Sequence, residues 1–287
     1  MANIFSRSWE ITKNSFGVIL KDKELLLFPI LSGFFSLLFV LSMLFPTIIG
    51  NLITGVVPEL GVIDYVLLFV SYLGLSFIAT FFNCCVVYTT KKRFENKNSK
   101  FFETLGFAFS KIHLIFFWSL LSATVGVILN VLENLAEKSK GLGRFVLQAL
   151  VKTLGMAWSI VTLFVIPSLV YKNLSPFSAI KDSIKVLKKT WGESLVKYLG
   201  LGLIKGLLIA LGIVLLIILI FVVIPLGAVA VISVVAIFVV YLILLGLIFG
   251  IADSIFDTAL YYYALTGKVP SSYTSEQMKE AFHKKKQ

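Results

Sequence analysis

A long stretch without a single charged side chain decides the fold. It covers residues 206–252 and reads GLLIALGIVLLIILIFVVIPLGAVAVISVVAIFVVYLILLGLIFGIA. At 1.5 Å per helical residue, each half is long enough to cross a hydrocarbon layer about 30 Å thick. Pro225 lies near the middle and favours a turn between the halves. The stretch therefore predicts two membrane-spanning helices joined by a tight turn.

The composition of the whole chain agrees with this interpretation. The 287 residues are 58% hydrophobic and 14% charged, whereas a soluble domain carries about 25% charged residues. This excludes a soluble globular protein, a disordered chain and a small disulfide scaffold. Cys84 and Cys85 are adjacent within an apolar run, so we interpret them as small buried hydrophobic side chains.

Six apolar runs are long enough to span a bilayer as helices. They cover residues 25–49, 63–90, 112–132, 145–171, 195–223 and 226–250, and helical character continues from the last run to residue 264. A basic tail, residues 265–287, follows. No alternating pattern of barrel strands is visible. We predict an all-α, polytopic helical bundle that forms one integral membrane domain over residues 1–287.

Lysine and arginine are distributed unevenly between the connections. Of the 26 such residues, 21 lie in the N-terminal segment, the second and fourth connections and the tail. The positive-inside rule then predicts a cell-membrane protein with both termini in the cytoplasm. The expected partners are the lipid bilayer and its anionic headgroups on that side, and not nucleic acid. The sequence identifies no protein partner.

The cytoplasmic segments show helical periodicity. In residues 175–191, apolar side chains recur at spacings of 3, 4, 3 and 4, which predicts an amphipathic helix in the headgroup plane; they are Phe177, Ile180, Ile184, Leu187 and Trp191. Similar stripes precede the third span and the first; they are Phe102, Leu105, Phe109 and Ile112, and Phe5, Trp9, Phe16 and Ile19. We predict a threefold repeat of one interfacial helix and a helical hairpin. The alternative, that any basic and Phe-rich connection looks amphipathic, stays open.

Several strings along the chain resemble those of a known family. They are LKDKELLLFP (20–29), FFN (81–83), WSLLSATVG (118–126), KTWGES (189–194) and ALYYYA (259–264). The whole chain resembles a family of uncharacterised six-pass integral membrane proteins of bacteria and archaea. It is more loosely similar to the membrane domain of some glycerophosphodiester phosphodiesterases. The resemblance implies a prokaryotic membrane protein of this topology, and it assigns no catalytic residue or substrate.

Polar side chains within or near the spans are candidates for an intramembrane polar site. They are Lys197, Lys205, Asp253, Asp257, Asn83 and Asn130. Asp253 and Asp257 are four residues apart and share one helical face. A pair so placed could hold a cation or relay a proton. Counting from the turn places both aspartates near the cytoplasmic boundary, which favours a structural pair of Asp253 with Lys197. Lys205 lies roughly 12 Å deeper than Lys197, too deep to reach Asp253 easily unless the sixth helix bends.

Three further features predict how the helices pack. Asn83 and Asn130 are expected to make hydrogen bonds between helices. Pro167 is expected to kink or end the fourth helix. Two small-residue stripes are expected to bring the fifth and sixth helices close together; they are Gly202, Gly206 and Ala210, and Gly246, Gly250 and Ser254.

The sequence contains no Ser–His–Asp, zinc or phosphate-loop arrangement. We therefore expect no enzymatic activity, no cofactor and no metal ion. The leading hypothesis is a multi-pass membrane protein that handles or transports a lipid or a small apolar molecule. The alternative is a non-catalytic membrane scaffold or regulatory protein that acts through its basic amphipathic helices.

Overall fold

The computed structural model describes residues 4–54, 62–190 and 200–275, and all the regular structure in these residues is helical. The helices are α1 (Ile4–Lys21), α2 (Glu24–Thr54), α3 (Val62–Phe94), α4 (Phe101–Ser110), α5 (Ile112–Lys138), α6 (Leu142–Thr162), α7 (Val165–Lys172), α8 (Pro176–Thr190), α9 (Gly200–Val223) and α10 (Ala228–Thr266). A 3-10 turn at Ile224–Leu226, which contains Pro225, joins α9 to α10.

Six segments of the described chain are long and apolar enough to cross a membrane. They are Glu24–Leu44, Val66–Phe94, Ile112–Lys138, Leu142–Lys172, Ile204–Leu226 and Ala228–Thr266. The predicted all-α membrane fold is therefore confirmed. Residues 195–199 of the predicted fifth span and residues 276–287 of the tail lie outside the described residues. The chain divides into two compact units. That residues 1–287 form a single integral membrane domain stays a prediction.

One unit comprises Leu27–Leu187, and α3 is its central helix. The α3 helix packs against α4, α5 and α7, while α5 also packs against α6. Gly126 of α5 lies under the ring of Tyr72, where an added Cβ would be 3.0 Å from the nearest ring carbon. Trp118 and Trp158 stack with centroids 6.0 Å apart and join α5 to α6.

The other unit comprises Met1–Leu26 and Lys188–Gln287, and within it α1 packs against α9 and α10. Tyr241 of α10 donates a hydrogen bond to the Leu208 carbonyl of α9 at 2.9 Å. Its ring lies over Gly212, where a Cβ would fall 2.6 Å from the ring.

The predicted contact between the two small-residue stripes is wrong. A Cβ built on Gly202, Gly206, Gly246 or Gly250 meets no atom of the described residues within 4 Å. The helices instead meet closely where the Tyr241 hydroxyl reaches a backbone carbonyl, because a buried hydroxyl in lipid requires an acceptor.

The helices α1, α4 and α8 each precede a pair of spanning segments, as the predicted repeat requires. On each of them a buried hydroxyl contacts a neighbouring part of the chain. Ser15 of α1 lies 2.8 Å from the Tyr273 hydroxyl, and Thr104 of α4 lies 3.2 Å from the Thr89 hydroxyl of α3. Ser183 of α8 accepts a hydrogen bond from a backbone N–H.

Large aromatic side chains on the same three helices point away from the protein. Trp9, Phe102 and Phe177 are 57%, 82% and 68% exposed. The attached faces carry small or hydroxyl-bearing side chains instead, including Thr12, Ser15, Thr104, Ala108, Ala179 and Ser183, all buried. The exposed aromatic side chains suit helices whose apolar face contacts lipid.

The ends of the three hairpins share one pattern of burial. In residues 81–88 (FFNCCVVY), 164–171 (FVIPSLVY) and 255–262 (IFDTALYY), the third and eighth positions are half-buried and the other six are buried. The eighth position is a tyrosine in all three. This agreement supports the threefold repeat independently of the element order.

The fourth span is broken near Pro167, which confirms the prediction of a kink or end. Proline lacks an N–H and its ring disturbs the carbonyl four residues earlier, at Leu163. The α6 helix ends at Thr162 and α7 begins at Val165. The backbone N–H of Phe164, between them, donates to Ser183 Oγ of α8 at 3.1 Å.

We predict that Ser183→Ala destabilises the protein by about 1–3 kcal/mol, because it removes the acceptor of a buried N–H. Thermal unfolding in detergent measures this loss, and hydrogen exchange should accelerate at the Phe164 amide. Ser178→Ala, an exposed change on the same helix, is the matched control and should have little effect. Equal stability of the two variants would contradict the role of the Ser183 hydroxyl.

Candidate functional site

An apolar groove of about 520 Å³ lies in the Leu27–Leu187 unit, between α2, α3 and the junction of α4 with α5. We call it the Phe groove. Its lining residues are Phe35, Leu38, Phe39, Ser42, Phe77, Ile78, Phe81, Phe82, Phe109 and Ile112. The one hydroxyl in this lining, on Ser42, donates to the Phe39 carbonyl of its own helix at 2.7 Å. The groove therefore presents an almost wholly hydrocarbon surface.

Ring contacts build the walls of the Phe groove. Phe35 of α2 stacks on Phe82 of α3 with centroids 6.0 Å apart. Phe81 meets Phe109 of α4 edge-on at 4.9 Å. The Phe39 ring of α2 lies against α3 at Gly74, where an added Cβ would overlap the ring. The absence of a side chain at Gly74 thus allows α2 and α3 to approach at this level.

The Phe groove lies along the spanning segments of α2 and α3 and reaches the start of the span in α5. Phe35 is eleven residues from the start of α2 at Glu24, or about 16 Å along the helix. The lining continues another turn or two to Ser42. At its other end the groove reaches Phe109 and Ile112, on either side of the α4–α5 junction.

Basic side chains are concentrated in the segment that runs from the end of α3 to the α4–α5 junction. Residues 91–111 contain six basic residues, Lys91, Lys92, Arg93, Lys97, Lys100 and Lys111, against two acidic ones, Glu95 and Glu103. Lys92 Nζ lies 3.2 Å from Glu103 Oε1, which also accepts from the Tyr88 hydroxyl at 3.1 Å. The hydrogen bond from Lys92 holds the pKa of Glu103 below its ordinary value.

Lys111 lies at the α4–α5 junction, between the lining residues Phe109 and Ile112. Its Nζ is 5.7 Å from the centroid of the Phe107 ring. The other face contact of this ring is with Tyr88, whose centroid is 4.0 Å away. Within the described part of the chain, no carboxylate lies within 4.0 Å of Lys111 Nζ.

The structure brings two of the predicted polar residues together in the unit that contains both termini. Lys205 of α9 and Asp253 of α10 are half-buried and interact electrostatically, although no ion pair shorter than 4.0 Å joins them among the described residues. The expectation that Lys205 lies too deep for an easy direct pair with Asp253 is not contradicted, because the two groups interact only at longer range. Lys197, the partner expected for Asp253, lies outside the described residues.

Asp257 has a different neighbour from Asp253. It interacts electrostatically with Tyr273, which follows α10 and whose hydroxyl contacts Ser15 of α1. Burial raises the pKa of Tyr273 above its ordinary value. The two aspartates thus share a helix but act on separate groups.

The two predicted asparagines, Asn83 and Asn130, lie in different surroundings. Asn130 accepts a hydrogen bond from Asn134 of its own helix at 3.0 Å, so its predicted bond to another helix is wrong. The i,i+4 spacing of Asn130 and Asn134 is the signal that reveals such a pair. Asn83 is half-buried on α3, beside the groove-lining residue Phe82.

Cys84 and Cys85 are buried and unbonded to each other, as predicted. Among the described residues, no group of three or more His, Cys, Asp or Glu side chains is arranged to hold a metal ion. The Phe groove is the feature that reasoning from the sequence missed. Its signal was the recurrence of Phe35, Phe39 and Ser42 on one face of α2, opposite Phe77, Phe81 and Phe82.

Comparison with protein families matches residues 62–271 to a family of unknown function, DUF6159. Comparisons with curated proteins and with solved structures gave no match. The six apolar helices and this match fit the predicted resemblance to an uncharacterised membrane family. Nothing in the comparisons supports the looser likeness to the phosphodiesterase membrane domain.

We predict that Lys205 is energetically coupled to Asp253 and not to Asp257. In a double-mutant cycle, Lys205→Met with Asp253→Asn should give an interaction free energy of at least about 0.5 kcal/mol. The matched cycle of Lys205→Met with Asp257→Asn should give nearly zero. Unfolding in detergent measures both, and equal couplings would contradict the assignment of separate partners.

We also predict that acid weakens the attachment of α4 to α3. Because the folded-state pKa of Glu103 is lowered, its contribution is present above the unfolded-state pKa and is lost as pH falls through the folded value. Thermal unfolding of wild type and Glu103→Gln, followed from pH 7 downward, checks this. The wild type should be the more stable at pH 7, and the difference should shrink as pH falls below the ordinary pKa of a glutamate toward the lower folded-state value; a constant difference would contradict the prediction.

Proposed function

The chain belongs to the DUF6159 family of unknown function, and we propose that it is a membrane protein that binds a lipid. In this proposal an acyl chain, or a small molecule as apolar as one, occupies the Phe groove. Such binding is the first step of handling or transporting the molecule. The Phe groove itself is the observation that carries the proposal.

The surroundings and the size of the Phe groove support a lipid as its occupant. The groove lies on helices long and apolar enough to cross a bilayer, so lipid chains are the solvent at that depth. Its volume of about 520 Å³ falls within the range of about 300–1,000 Å³ found for small-molecule sites. Because lipid tails are as apolar as the lining, transfer from water does not drive binding here. Close contact of a chain with several rings, through dispersion, supplies the preference.

The lining of the Phe groove supports binding and not chemical conversion. Its one hydroxyl is bonded to its own backbone, and the remaining lining side chains are hydrocarbon. They offer no group that acts as a nucleophile, acid or base. The proposed function therefore involves no catalysis and no cofactor.

The distribution of basic residues supports a location in the prokaryotic cytoplasmic membrane with both termini inside. Of the 26 Lys and Arg residues, 21 fall in the segments that this orientation places in the cytoplasm. The α4–α5 end of the Phe groove is then at the inner leaflet, beside anionic headgroups.

A scaffold role is the second candidate, and one observation favours it. The exposed aromatic side chains Trp9, Phe102 and Phe177 give three helices a face suited to the membrane surface. A scaffold of this kind needs those faces and does not need the Phe groove. Replacing Phe102 and Phe177 with serine separates the two functions. If the protein is a scaffold, the variant should lose its effect on the shape of vesicles. If the protein binds lipid in the Phe groove, its lipid binding should stay unchanged.

We predict that Leu38→Trp reduces lipid binding because the larger ring fills the Phe groove. The measurement is photolabelling in nanodiscs with a phospholipid that carries a diazirine in its acyl chain. Labelling of α2 and α3 peptides should fall severalfold in this variant. Leu37→Trp, on the exposed face of α2 and outside the groove lining, is the matched control and should label like wild type. Equal labelling of the two variants would overturn the proposed function.

A further inference from the structure

We propose that the Phe groove selects an anionic phospholipid and that the Lys111 ammonium binds its phosphate. This inference rests on the proposed function, since it concerns the headgroup of the lipid whose chain fills the groove. It names a class of lipid and a residue that recognises it.

The position of Lys111 connects the apolar groove to the charged surface. The backbone turns at Lys111, with φ −104° and ψ 11°, and this turn separates α4 from α5. The residue one position after it, Ile112, and the residue two positions before it, Phe109, both line the Phe groove. A phospholipid carries its phosphate at one end of its acyl chains, so a chain in the groove brings the phosphate toward this turn.

The electrostatics at Lys111 favour an anion from outside the protein. Its ammonium lies 5.7 Å from the centroid of the Phe107 ring, and the residue as a whole is half-buried. Glu103, the acidic residue of α4, already binds Lys92 and Tyr88. An ammonium that no carboxylate of the described residues contacts is available to form a charge-assisted hydrogen bond with a phosphate.

The charge of Lys111 discriminates between types of phospholipid. A zwitterionic headgroup carries an ammonium next to its phosphate, and the Lys111 ammonium repels that group. An anionic headgroup carries no such group. Because no carboxylate of the described residues lies within 4.0 Å of Lys111 Nζ to offset this repulsion, the zwitterionic lipid is disfavoured.

The test compares phosphatidylglycerol with phosphatidylcholine, both with identical photoreactive acyl chains, in binding to the full-length protein. Wild type should prefer phosphatidylglycerol by about fivefold, the size expected for one basic residue at an anionic surface. Lys111→Gln should remove this preference, and Lys111→Arg should keep it. Lys100→Gln, an equal loss of charge at an exposed position, is the matched control and should keep most of it.

Three results would overturn the headgroup assignment. They are equal binding of both phospholipids by wild type, equal effects of Lys111→Gln and Lys100→Gln, and a free fatty acid that labels as strongly as phosphatidylglycerol. If excess inorganic phosphate abolishes the preference, a free anion binds at Lys111 and the assignment also fails. In each case, weaker acyl labelling of Leu38→Trp than of Leu37→Trp would leave the proposed function standing. If Leu38→Trp labels like Leu37→Trp with every lipid, the proposed function itself fails.

Discussion

Inside a bilayer, a backbone N–H that leaves its helix finds no water, so the protein must supply an acceptor. At Phe164 that acceptor is Ser183 Oγ, 3.1 Å away on α8. The break that Pro167 imposes is thus stable only while α8 is attached. Asp182, the neighbour of Ser183, strengthens this attachment by accepting from Ser168 at 2.9 Å and from Lys172 at 2.6 Å. The need of the Phe164 N–H for a hydrogen-bond acceptor is therefore met by the position of α8.

Attachment through hydroxyls also shapes the Phe groove. The Thr104–Thr89 contact and the stacking of Phe107 on Tyr88 hold α4 against α3. Phe109 follows on the same short helix and meets Phe81 at 4.9 Å. Thr104 and Ala108 are buried on the attached face of α4, whereas Phe109 keeps 58% of its surface exposed and lines the Phe groove.

The spans could be predicted from the sequence because lipid demands length and apolarity, and hydropathy measures both. The third predicted span, residues 112–132, begins at the same residue as α5, and the extension of the sixth to residue 264 ends two residues before α10 does. The packing faces could not be predicted in this way. In a membrane helix an apolar stripe indicates contact with lipid as readily as with protein, so the stripe through Phe102 and Phe109 did not reveal that Thr104 and Ala108 face inward. The Phe groove was missed because concavity depends on how α2 and α3 pair, which no single helix encodes.

The repeated burial pattern is filled by different side chains in each hairpin. The first two positions of the pattern are Phe81 and Phe82, which line the Phe groove and keep 7% and 8% exposure. At the matching positions of the second hairpin, Phe164 and Val165 are fully buried beside the helix break. In the third, Ile255 is fully buried and Phe256 packs against the Tyr273 ring at 6.0 Å. The same burial pattern is therefore satisfied by different local contacts in the three hairpins, and in the first the two rings also form part of the wall of the Phe groove.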